Sequence, residues 1–225
     1  HGARPPGGVD FGDFALGQFI EASGLTFAYQ ELSIDDRSKW VSEHGLTEKL
    51  TQFQFQRIKA LAERTRRRVQ ALHPDALFGS LLWGNSIWDR ALAAGFSTPR
   101  TPYMVFPEQT YPGEYSEAFL QLQDRIRREA KVPILFVPGV GIKSYAQTVL
   151  TAEQKATRAR IIPANVYHWT IRSQGYWIYH LTTMQDPETR PGFLALTETV
   201  HRELDRYLAA GGKYESALEP APLPQ

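Results

Sequence analysis

From residue 76 onward the chain alternates short apolar runs with helical stretches, and this alternation restricts the fold more than any other feature. Runs at 76–83, 103–108, 134–137 and 175–181 are β-prone and bounded by turn residues, the pattern of buried strands in a parallel sheet. Helical periodicity is predicted over 87–94, ending at Gly95, over 116–130, and over 193–209, ending at Gly211-Gly212. Between the third and fourth runs the signals predict two helices, one over 152–162 with Thr151 and Gln154 as a capping box, the other begun by Pro163. Pro138-Gly139-Val140-Gly141 reads as a loop closing the third run. Strands that alternate with helices imply a parallel sheet with right-handed crossovers.

Four strands are few for a doubly wound sheet and half the number that closes a barrel. No Gly-x-Gly-x-x-Gly follows any run, so no dinucleotide cofactor is predicted. The fold class is therefore read as α/β, with parallel β/α repeats forming the second half of a TIM (β/α)8 barrel whose other strands lie upstream of His1. Residues 1–212 are taken as this partial barrel domain and 213–225 as a loose Pro-rich tail.

Ahead of the alternation only helices are predicted. Residues 1–10 are a Pro/Gly-rich loop, 11–23 a helix stopped by Gly24, and 37–44 a short helix after the cap-like Ser33. A long helix follows over 47–72, with Thr47 as N-cap and Leu50, Phe53, Ile58, Leu61, Thr65, Val69 and Leu72 as its inner face. Arg64, Arg66, Arg67 and Arg68 near its end read as a solvated face favoured by the helix dipole.

A net charge of +1 offers no broad footprint for nucleic acid, and no apolar run is long enough to span a membrane. The absence of cysteine excludes disulfides and thiolate chemistry but leaves the compartment open, a secreted or periplasmic setting included. The chain opens on His1 without an initiator Met or a signal-peptide core, so it is expected to be a piece of a longer protein. Oligomeric state leaves no trace in the sequence.

Catalytic groups in parallel sheets collect where strands end. Glu108 falls there, and strand alternation sets it with Met104 and Phe106 on one face. A buried carboxyl at that point would have its pKa raised toward general-acid duty. Tyr111 and Tyr115 follow in the same loop, where they are suited to stacking or hydrogen bonding, with Glu114 read as solvated. Trp83 at the end of the first run suits a sugar platform and Asn85 a hydroxyl contact, although Asn85-Ser86 also reads as a helix N-cap. Tyr179 and His180 lie nearest the functional end of the last run. Trp88, His168 and Trp169 fall inside predicted helices and are read as packing residues. No His-x-x-x-His or Asp-x-Asp grouping supports a metal, and no Gly-x-Ser-x-Gly elbow supports a serine hydrolase.

Phe-Pro-Glu-Gln-Thr-Tyr at 106–111, Val-Pro-Gly at 137–139 and Gly-Tyr-Trp-Ile-Tyr at 175–179 give the segment order over residues 11 to 210 a family likeness. This order resembles the C-terminal half of a (β/α)8-barrel glycoside hydrolase or glycoside-hydrolase-like protein. The resemblance implies a carbohydrate substrate, carboxylate acid/base chemistry with Glu108 as acid/base or nucleophile, and no cofactor. It also implies a second carboxylate across the scissile bond. Only Glu108 has a strand-end placement here, so the partner acid is expected on a strand upstream of His1. A non-catalytic barrel that binds glycans or scaffolds a partner is the competing expectation.

Overall fold

The computed structural model describes residues 8–81, 83–107, 110, 117–141, 151–173, 175–179 and 190–212. Three helices come first: α1 (Asp13–Ser23), α2 (Ile34–Glu43) and α3 (Thr47–Gln70). The alternation follows as β1 (Gly79–Ser80), α4 (Ile87–Phe96), β2 (Tyr103–Val105), α5 (Glu117–Ala130), β3 (Ile134–Phe136), β4 (Gly139–Gly141), α6 (Ala152–Arg172), β5 (Trp177–Tyr179) and α7 (Arg190–Ala209). The chain is thus mixed α/β, with seven helices and a small parallel sheet among the described residues.

β1, β2 and β3 form a three-stranded parallel sheet in sequential order, with Gly79 opposite Met104 and Met104 opposite Leu135. β4 and β5 pair in parallel beside it, Gly139 opposite Trp177. β3 and β4 belong to one stretch interrupted at Val137-Pro138. Val137 N–H still donates to the Val105 carbonyl at 2.9 Å, whereas the Pro138 carbonyl accepts from Trp177 N–H at 3.0 Å on the other side. Proline has no N–H to give β2, so the pairing changes sides there. The Pro-Gly-Val-Gly stretch, expected to be a loop, therefore carries a strand.

The core lies on one face of the sheet. Tyr103, Val105, Phe136 and Val140 join Ile126 of α5 and Trp169 of α6 in a single buried cluster, which residues of α4 and α7 complete. The opposite strand parity has no helix against it among the described residues. Leu77 is 44% exposed and Leu81 53% exposed, while Met104, Phe106 and Leu135 are only partly covered. A side chain at Gly79 would begin 2.5 Å from the Met104 carbonyl oxygen and 2.9 Å from the Phe106 ring, so glycine lets that ring lie across β1. The same ring meets Trp177 edge-on at 5.9 Å.

The leading helices carry a second cluster around Phe11, Leu16, Phe19, Val41 and Leu50. Arg37 of α2 is buried within it and donates to the carbonyls of Phe11, Tyr29 and Gln30 at 2.9–3.2 Å, with Asp13 at 2.6 Å. Gln54 of α3 likewise accepts from Asp10 N–H at 2.9 Å and donates back to the Asp10 carbonyl. These two polar side chains bond to backbone groups of the loops before α1 and between α1 and α2.

The helix ends follow their capping residues. Ser33 accepts from Asp36 N–H at α2, and Ser86 with Asp89 forms a capping box at α4. Three expectations change. α3 begins after Leu46, with no side-chain cap from Thr47, and buries Leu50, Gln54, Ile58 and Ala62, leaving Leu61 and Leu72 exposed. Gly95 lies inside α4, not after it, and its lack of a side chain admits α3, since a Cβ there would come 2.5 Å from both the Ala62 Cβ and the Lys59 carbonyl oxygen. α6 runs unbroken through Pro163.

Candidate functional site

Parallel strands direct their carboxyl ends, and the loops that follow them, to one edge of the sheet. Among the described residues, that edge carries Trp83 to Ser86 after β1 and Phe106, Pro107 and Thr110 after β2. After β2, the described residues Pro107 and Thr110 are both held in place. Pro107 is buried, and Thr110, the residue that follows Glu108-Gln109, is fully buried. The Thr110 Oγ1 lies 2.9 Å from the carbonyl oxygens of both Pro107 and Gly139 and accepts from Gly139 N–H at 2.8 Å. A hydroxyl has one proton, so it donates to one of the two carbonyls while accepting from the amide. The loop after β2 is thereby clipped to the first residue of β4. Thr110 was not singled out by the sequence, since a threonine after a strand carries no local pattern and its partner lies 29 residues away.

Glu108, Tyr111, Glu114, Tyr115 and His180 lie outside the described residues. Tyr179 is described in its backbone, opposite Gly141. On the partly covered face beside this edge lie Phe106 and Trp177, an aromatic pair formed across two strands that the sequence leaves unassigned to a common face.

Two tryptophans exchange the roles expected of them. Trp83 is 5% exposed, belongs to the main core cluster and donates its Nε1–H to Glu129 Oε2 at 2.8 Å. A ring so covered offers no flat face to a sugar, so the platform expected at this position is not formed. Trp88, expected in the core, is 45% exposed and donates to the Gly8 carbonyl at 2.9 Å. Asn85 is exposed and adopts a left-handed backbone with φ 54°, a conformation that asparagine tolerates better than most residues. Ser86, not Asn85, supplies the cap.

The carboxylates that contact the segment after β1 have structural partners. Asp89 Oδ2 accepts from Gly84 N–H, Ser86 N–H and Ser86 Oγ at 2.8–3.0 Å. Glu129 takes the Trp83 indole and lies 3.9 Å from Arg125. Burial pushes the Tyr103 and Tyr176 phenols above their usual range, so both remain protonated near neutrality. His168 is held below the ordinary imidazole value, first by burial and then by the Arg172 charge. Trp169 beside it is fully buried, as its helical position implied.

Among the described residues no group of three or more His, Asp or Glu side chains is gathered to hold a metal ion. No helix among them is long and apolar enough to cross a membrane. No family model, curated protein or solved structure matches the chain.

Proposed function

We propose that the chain supplies the second half of a (β/α)8 barrel in a carbohydrate hydrolase, with Glu108 as one of two catalytic carboxylates. The half-barrel reading is supported by sequential parallel strands, helices on one face, and an apolar opposite face of the kind that lines a barrel interior. The observation that carries the site is the clamp at Thr110. Together with buried Pro107 it anchors the two described residues that flank Glu108-Gln109, which supports this placement. Catalysis rewards such rigidity, because a misplaced acid loses much of its effect. Asp89 and Glu129 are committed to structural contacts, so neither is proposed as the partner carboxylate.

The test is Glu108→Gln in the parent protein, assayed on aryl glycosides and polysaccharides. Loss of a general acid or base lowers kcat by about 10²–10⁴-fold. Undiminished turnover would remove Glu108 from the mechanism. The engaged state of Asp89 and Glu129 also suits a second reading, a barrel that retains glycans without cleaving them. Saturable glycan binding by the parent with no product formed would favour that reading over the first.

A further inference from the structure

A second surface lies away from the sheet edge and does not depend on the hydrolase reading. α3 turns its outer side toward the C-terminal half of α1, and the two border an open depression of about 1000 Å³. Its floor is apolar: Phe19 and Phe53 pack edge to face at 5.6 Å, and Ala60 extends the floor along α3. Its rim carries Lys49, Arg57 and Arg64, all exposed. At 1.5 Å per residue they stand roughly 12 Å and roughly 10 Å apart along the helix.

None of these three cations has an ion-pair partner among the described residues. The next carboxylate on α3, Glu63, is taken by Lys59 at 3.5 Å and Arg67 at 3.9 Å. Arg57 is held against the groove by its position over the Phe53 ring, 5.6 Å from the centroid. Glu48 is the only acidic residue lining the depression, so three cations against one anion leave it at +2, beyond the +1 of the whole chain. Gln52 and Gln56 add neutral donors and acceptors between the charges.

We infer that this groove is a docking site for an acidic amphipathic helix of a partner protein, laid alongside α3. Carboxylates two turns apart on such a helix repeat at about 10 Å, the interval of Lys49, Arg57 and Arg64, while apolar residues between them reach the Phe19–Phe53 floor. A polyanion without an apolar face would satisfy the charges and leave the floor uncovered.

The probe is a labelled synthetic helix with glutamates two turns apart and leucines between them, titrated into the chain by fluorescence anisotropy. Single-site saturable binding that weakens with salt is expected. The triple variant Lys49→Glu, Arg57→Glu, Arg64→Glu should lower the affinity by about tenfold or more, the sum of three exposed ion pairs. That variant should in turn bind the same helix with lysine in place of glutamate, a rescue that a folding defect cannot produce. Because all three side chains are exposed, circular dichroism should be unchanged. Absence of saturable binding, equal binding of a scrambled peptide, or full competition by a polyanion such as heparin would each overturn the inference.

Discussion

Thr110 illustrates how one side chain places a loop. Beyond the last backbone contact of β2, Phe106 N–H to the Ser80 carbonyl, the Thr110 hydroxyl ties the chain to Gly139. Thr110→Val keeps the shape but leaves the buried Gly139 N–H unpaired, which costs about 1–3 kcal/mol. Chemical denaturation should record that loss, with Thr110→Ser retaining most of the stability. A valine variant as stable as the parent would show the clamp to be idle. His168 supplies the pH dependence at this scale. Its folded pKa lies below the unfolded value, so the unfolded chain binds more protons and stability rises with pH. The contribution is complete above the unfolded value near 6.5 and is lost as pH falls through the lower folded value. Denaturation midpoints at neutral and mildly acidic pH should therefore converge in His168→Gln, and an unchanged acid loss would contradict the assignment. At the residue scale the sequence distinguishes caps better than aromatics. Ser33 and Ser86 are legible because their partners lie three residues away, whereas the fates of Trp83 and Trp88 depend on Glu129 and Gly8, far along the chain.

At the scale of elements, existence is more legible than orientation. All the helices expected before β1 form, yet the inner face of α3 is rotated from the stripe of its largest apolar residues. The reason is contact, not hydropathy. Gln54 is drawn inward by the Asp10 backbone, and Ala62 by the close approach of α4 at Gly95. Gly95→Ala tests that approach. Alanine favours the helix by about 1 kcal/mol, but its Cβ would meet the Lys59 backbone carbonyl, which cannot swing aside as a side chain would. Overpacking of this kind costs about 1–3 kcal/mol, so the net effect should be a loss of stability in thermal or chemical denaturation. A stabilised variant would mean that the helices separate more easily than their packing implies. β4 and the unbroken α6 escape sequence reading because Pro and Gly are strong local breakers that tertiary contacts override. Pro163 is followed in the same helix by buried Asn165, Val166, Trp169 and Ile171, and Val140 is buried against them in the core.

At the scale of the molecule, the sheet is one-sided among the described residues. Helices cover one face with a continuous core, and the other presents Leu77, Leu81, Met104, Phe106 and Leu135. The parallel alternation behind this architecture was legible from residue 76 onward, because strand and helix periods are local properties. What closes the open face is not, since it requires contacts beyond the chain's own period. Much of the candidate site shares that difficulty: Glu108 is recognised by its place after a strand, while the clamp that supports the reading joins residues 29 apart. An apolar face of this kind is costly in water at about 25 cal/mol per Å², and a barrel interior relieves the cost.

The most direct measurement uses the chain's freedom from cysteine. Leu81→Cys places a single thiol on the open face and Leu72→Cys a control beyond the end of α3, both at exposed positions. Maleimide labelling is compared between the chain alone and the longer protein that the proposed half-barrel requires. If the sheet is half of a closed barrel, the residue 81 thiol reacts at least about tenfold more slowly in the parent, through opening of the structure alone, while the control is unchanged. Equal rates at residue 81 in both would contradict the barrel and, with it, the site proposed at its edge.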